Sequence, residues 1–243
     1  MRFHILLCAA LISATEARTE GLELKIPPVK TSLDVKGQAV QIVAWGAVSS
    51  GPQGSFKLAL TADLRDLQEN IGPLLASQLN RSDRCGERLS VDGATLVPAS
   101  PAAILTAHVR FERWGCVKAL GRDIVKRLVG GNAVVVVKLT PSVGPDGISM
   151  ASEVQKIDAD GSLGEVLQSG SFGAAVKEKI AGSIESSMRE GLDLKSTLPP
   201  AVASAATLRS AQFASGAEGR LLFSLDGEVH LSAAQLQSLN FKK

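Results

Sequence analysis

His108 and His230 are the histidines that remain once the first seventeen residues are set aside. Each falls on the polar side of an alternating stretch, and neither is accompanied by a Gly-x-Ser-x-Gly elbow or another nucleophile setting, so triad chemistry is not expected. Two carboxylate pairs, Glu112 with Asp92 and Glu228 with Asp226, have the residue types of a glycosidase acid and base. They sit in alternating strands or turns, where solvated carboxylates are the ordinary reading. Asp158, Asp160 and Gly161 begin like a calcium loop, but Glu165 comes too early to close one, and the stretch reads as a helix entry. Gly130-Gly131 is not followed by the Lys-Ser/Thr of a phosphate loop, and no G-x-G-x-x-G opens a helix. No catalytic residue, metal ligand or cofactor is expected.

The two cysteines that could bind a metal, Cys85 and Cys116, are thirty-one positions apart and lack a close ligand partner. Their setting explains them better. Arg2, an apolar run from Ile5 to Ile12 and Thr15-Glu16-Ala17 have the order of a secretory signal over residues 1–17, which leaves residues 18–243 as one domain in the periplasm or outside the cell. Disulfides form and persist there, so Cys85 and Cys116 are expected to pair, with Cys8 lost in the leader. Closing a loop of about thirty residues stabilises a fold by roughly 3 to 4 kcal/mol.

Composition narrows the partners. The chain has 243 residues with 26 basic and 24 acidic side chains, a formal charge of +2, and the two signs are interspersed, which demands neither nucleic acid nor anionic lipid. One stretch leans positive: Arg81, Arg84, Arg88, Arg110, Arg113, Lys118, Arg122, Lys126 and Arg127. Such a run is a solvated face or a patch for phosphate and lipid headgroups. Seven Phe, two Trp and no Tyr are too few for a carbohydrate surface or a base-stacking platform. After the leader no apolar run has the length of a membrane span.

The elements that would carry these residues follow from periodicity. Residues 22–61 alternate as strands, interrupted at Pro27-Pro28 and Ser49-Ser50-Gly51-Pro52 by turns or an edge bend. From Asp63 the period changes, and Leu64, Leu67, Ile71, Leu74, Leu75 and Leu79 line one face of a helix that Gly72-Pro73 should kink or split. Strands resume over 88–97 and 103–114, a short helix fits 120–129, and strands 133–140 and 148–157 flank a Pro145-Asp146-Gly147 turn. Ser162 with Glu165 forms a capping box for a long helix whose stripe is Val166, Phe172, Val176, Ile180, Ile184 and Met188. Two strands, 207–213 and 221–231, close the chain. The expected class is α+β: a curved, mostly antiparallel sheet wrapped against two amphipathic helices, one of them long.

That order resembles the tubular lipid-binding superfamily, the fold of bactericidal permeability-increasing protein. The segments that carry the likeness are Phe56-Lys57-Leu58-Ala59-Leu60 running into the 64–79 helix, and the 166–188 helix followed by the two last strands. The resemblance implies an elongated cavity for acyl chains and lipid binding or transfer without catalytic residues. Its wall would be Leu67, Ile71, Leu74, Val176, Ile180 and Ile184. The same fold with a filled interior would instead serve as a protein-binding or scaffolding domain of the cell envelope.

Overall fold

The computed structural model describes residues 23–35, 37–51, 55–82, 85–119, 122–144, 147–168, 174 and 206–229. The leader, His230, the closing residues beyond it, and Val176, Ile180 and Ile184 lie outside the described residues. The described residues form ten strands in two antiparallel five-stranded sheets, with two short helices. The expectation of one curved sheet around two helices is therefore corrected to a predominantly β architecture of two sheets.

The first sheet has the order β1 (Glu23–Val35), β2 (Gln38–Ser50), β3 (Phe56–Asp63), β10 (Leu221–Val229), β9 (Ala206–Ser215). Edge strand β1 carries Pro27-Pro28 at a register shift between Ile26 and Val29, where the missing N–H groups cost no ladder bond in a central strand. The second sheet runs β4 (Arg81–Ser82), β5 (Gly86–Ala99), β6 (Ala102–Ala119), β7 (Arg122–Gly144), β8 (Gly147–Ala159) in chain order. The valine-rich run of β7 lies inside this sheet, between β6 and β8, where β-branched side chains suit a pleated surface. Val135, Val137 and Leu139 face the core, opposite Ala107, Leu105 and Ala103 of β6.

Helix α1 (Arg65–Leu79) links the sheets and packs chiefly on β5, with β2 and β10 also in contact. It is one helix of 15 residues despite Pro73. Gly72 faces β5 so closely that a Cβ there would come within 3.3 Å of the Ala94 nitrogen, so the residue expected to break the helix instead lets it approach the sheet. Polar bonds fix both ends. Leu64 N–H donates to the Leu221 carbonyl at 2.9 Å, Asp63 Oδ1 accepts the Arg65 N–H at 2.9 Å, and Asn80 Oδ1 accepts the Val91 N–H at 2.8 Å.

Two helix expectations change. Residues 122–129, the described part of the helix expected over 120–129, belong to β7 and not to a helix. The described part of α2 is Gly161–Gln168, and Ser162 lies inside it, with its hydroxyl bonded to the backbone of Gly130 and not capping the helix start.

The core lies between the sheets. Val40 and Ile42 of β2 and Leu221, Phe223 and Leu225 of β10 meet Leu67, Ile71, Leu74 and Leu75 of α1 and the inward face of β5 to β8. Phe213 and Phe223 are cross-strand partners with ring centroids 5.3 Å apart in an edge-to-face pair. Phe213 N–H also donates to the Pro101 carbonyl at 2.9 Å, tying the last strands to the turn between β5 and β6.

Candidate functional site

The carboxylates that could have worked as acid and base are engaged in cross-strand pairing. On β6, Glu112 accepts the Trp114 indole N–H at 2.9 Å and the Arg127 guanidinium at 3.2 Å, while Asp92 on β5 pairs with Arg110 at 3.3 Å. On β10, Glu228 pairs with Arg209 at 2.9 Å and Asp226 accepts the Ser210 hydroxyl at 2.9 Å. A hollow of about 370 Å³ opens on that sheet face, lined by Ser49, Lys57, Arg209, Asp226 and Glu228 among others. Its two cations and two carboxylates balance, and the glutamate is held by a guanidinium. His108 is exposed on β6, with Gly93 and Val134 as its cross-strand partners.

The wall residues on α1 are inside the molecule. Leu67, Ile71 and Leu74 are buried in the common core, with Leu74 only 3% exposed. They fill the space between the sheets.

Asp158, Asp160 and Gly161 form the entry to α2. Gly161 has φ +58°, a left-handed turn that glycine adopts without strain. Asp160 accepts the Asn132 backbone N–H at 2.7 Å and its side-chain Nδ2 at 3.2 Å. These bonds, the backbone one first, hold its carboxyl below the usual carboxylate range.

The cysteines are disulfide-bonded, with Cα atoms 5.6 Å apart, a bond of the kind that persists in oxidising compartments. The bridge sits where the second sheet narrows. Pairing of β5 to β6 stops at Gly86 with Trp114, and pairing of β8 to β7 stops at Ala159 with Ala133. Beyond those points β6 and β7 continue together, from Gly115 with Lys126 to Ala119 with Arg122, as a two-stranded ribbon. An isolated ribbon of this kind is marginal in water. Here Cys85–Cys116 clamps its base, and Arg88 stacks over the Trp114 ring at 4.3 Å on the side that also carries Glu112 and Arg127.

The opposite side of the ribbon prolongs the core face of the sheet past its cover. Ala103, Leu105 and Ala107 of β6 are buried, and the same alternation brings Arg113, Gly115 and Val117 to that side further along. Val117 pairs with Ile124, and a bulge at β7 brings Leu128 onto Gly115, where a Cβ would meet its side chain at 3.0 Å. Val117, Ile124 and Leu128 are 65%, 54% and 58% exposed, the most exposed large aliphatics among the described residues. Comparison with known proteins found no matching family model, no matching curated protein and no matching solved structure.

The basic stretch noted in the sequence converges on this ribbon in part. Arg110 and Arg127 are committed to Asp92 and Glu112, and Arg88 to Trp114. Arg113, Lys118 and Lys126 are exposed and form no ion pair with another described residue. The side chains of Arg81, Arg84 and Arg122 lie outside the described residues. Sequence reasoning missed the ribbon because its apolar residues do not face a core. The usable signal was the disulfide-forming Cys116 set between exposed cations.

Proposed function

We propose that this chain is a non-enzymatic protein of the periplasm or the extracellular space that works as a binding or scaffolding domain of the cell envelope, through its surface. The observation that carries the reading is the enclosure of α1 between the two sheets, which supports a filled interior in place of a groove walled by Leu67, Ile71 and Leu74. The pairing of Glu112, Asp92, Glu228 and Asp226 with cross-strand donors supports a structural role for each. The secretory signal and the disulfide support export, and among the described residues no helix is long and apolar enough to cross a membrane.

Native mass spectrometry and thermal unfolding of the exported chain test this reading. No stoichiometric lipid should co-purify, and dispersed fatty acids should leave Tm unchanged, since a ligand that binds the folded state alone must raise it. A bound acyl ligand that raises Tm and is released by enlarging Leu74 would restore the groove.

A further inference from the structure

Three aliphatic side chains, Val117, Ile124 and Leu128, lie together and exposed on one side of a two-stranded extension that, among the described residues, has no neighbouring strand on either flank. Arg113 and Lys126 share that side, and Lys118 is next to Val117 in the strand. A soluble surface does not ordinarily cluster large aliphatics, and such a cluster rimmed by cations marks a place where something binds. From this juxtaposition we infer that the ribbon is a membrane-docking element, which seats Val117, Ile124 and Leu128 in the interfacial region of a bilayer bearing anionic headgroups.

Charge complementarity selects that occupant. Aliphatic side chains with a rim of Lys and Arg suit the boundary between acyl chains and anionic headgroups, where apolar burial and electrostatic attraction act together. Of the acidic side chains near the ribbon base, Glu112 and Asp92 are neutralised by Arg127 and Arg110, and Glu87 of β5 stands opposite Arg113, so the cations beyond the base are Lys118 and Lys126. Asp123 is the acid within the ribbon sequence. Among the described residues the ribbon extends beyond the pairing of both neighbouring strands, which leaves its aliphatic side open to a flat surface. Lysines along the ribbon also disfavour strand addition by another protein, because exposed charged side chains blunt an open edge. The disulfide and the Arg88–Trp114 stack keep the ribbon formed while its apolar side is in water.

The inference rests on the surface-binding reading above and is tested separately from it. The exported full chain is sedimented with vesicles of phosphatidylcholine alone and of phosphatidylcholine mixed with phosphatidylglycerol, at low and high salt. Wild-type protein should bind the mixed vesicles, release at high salt and leave the neutral ones unbound. Arg113→Gln with Lys126→Gln should weaken binding roughly fivefold per cation removed. Val117→Ser with Ile124→Ser should abolish retention while Tm and circular dichroism stay as in wild type, because both side chains are exposed. Leu128→Ser is the second apolar variant should that pair not fold. Failure of wild-type protein to bind mixed vesicles, or binding that neither set of variants weakens, would overturn the inference. So would light scattering that shows a dimer dissociated by the serine variants, or a Tm lowered by them, since the ribbon would then be covered by a second copy or by this chain itself. In each of those cases an interior without co-purified lipid leaves the surface-binding reading standing.

Discussion

Asn132 and Asp160 hold each other from both backbones: the Asn132 N–H donates to Asp160 Oδ1 at 2.7 Å, and the Asp160 N–H returns to the Asn132 carbonyl at 3.0 Å. The pair joins β7 to the start of α2, and Asn132 Oδ1 also accepts the Arg110 Nε at 3.4 Å. Because the bonds favour the ionised carboxyl, Asp160 titrates below its ordinary value of 3.8. A depressed folded pKa means that the stabilisation is complete above the unfolded value and is lost as pH falls from there through the folded one. Stability measured by urea unfolding should decline on that acid limb, and Asp160→Asn should flatten the decline while leaving the neutral-pH midpoint lower. An unchanged acid limb in the variant would remove Asp160 from the account.

Gly131, beside this pair, admits no side chain. A Cβ would stand 2.5 Å from the Asp160 carbonyl oxygen, 2.9 Å from its Oδ1 and 3.0 Å from Leu163 Cβ, and the first of these is backbone that cannot rotate away. Gly131→Ala should therefore destabilise by about 1 to 3 kcal/mol, as overpacking does. Gly144→Ala, which meets nothing within 4 Å, is the control expected to stay near wild type in chemical denaturation.

The alternation of Val40 with Ile42, of Leu105 with Ala107, and of Leu221, Phe223 and Leu225 was legible in the sequence because each strand has one buried side. The apolar spacing of Leu67, Ile71 and Leu74 was legible for the same reason. Periodicity says which side of an element is buried and not which element covers it. The insertion of β10 between β3 and β9, and the split into two sheets, depend on pairings such as Leu225 with Leu60 that are remote in the chain. Residues 120–129 misled for a different reason. Val117, Ile124 and Leu128 face no core, so the period-two signature of a half-buried strand is missing, and Leu120, Ile124 and Leu128 fall at helical spacing by coincidence. The misread segment supplies one strand of the proposed docking ribbon, with Ile124, Lys126 and Leu128, because local patterning fails where apolar side chains are exposed.

Removing the Cys85–Cys116 bridge relaxes a loop of sequence separation 31 and unclamps the ribbon base. Cys85→Ala with Cys116→Ala should lower stability by about 3 to 4 kcal/mol under the chain-entropy account. The denaturation midpoint of wild-type protein should shift in the same direction with reductant, whereas the double variant should not respond. Equal midpoints for oxidised and reduced wild type would show that the bridge does not constrain the unfolded chain.

Gln68 joins α1 to the start of β10 with both ends of its side-chain amide. Its Oε1 accepts the N–H of Leu221, itself fully buried, at 3.0 Å, and its Nε2 donates to the Gly219 carbonyl at 3.1 Å. Arg220 flanks the junction through Asp63 at 3.2 Å, a partly buried pair. Gln68→Leu removes the acceptor and leaves a buried N–H without its partner, which should cost about 1 to 3 kcal/mol. Gln68→Glu keeps the acceptor but points an anion toward the Gly219 carbonyl at neutral pH, so its loss should shrink as pH falls and the added carboxyl takes up a proton. Thermal unfolding of the two variants across pH separates the effects: a pH-independent loss in Gln68→Leu with a pH-dependent one in Gln68→Glu is expected. Indistinguishable behaviour would mean that the amide does not bridge helix and strand.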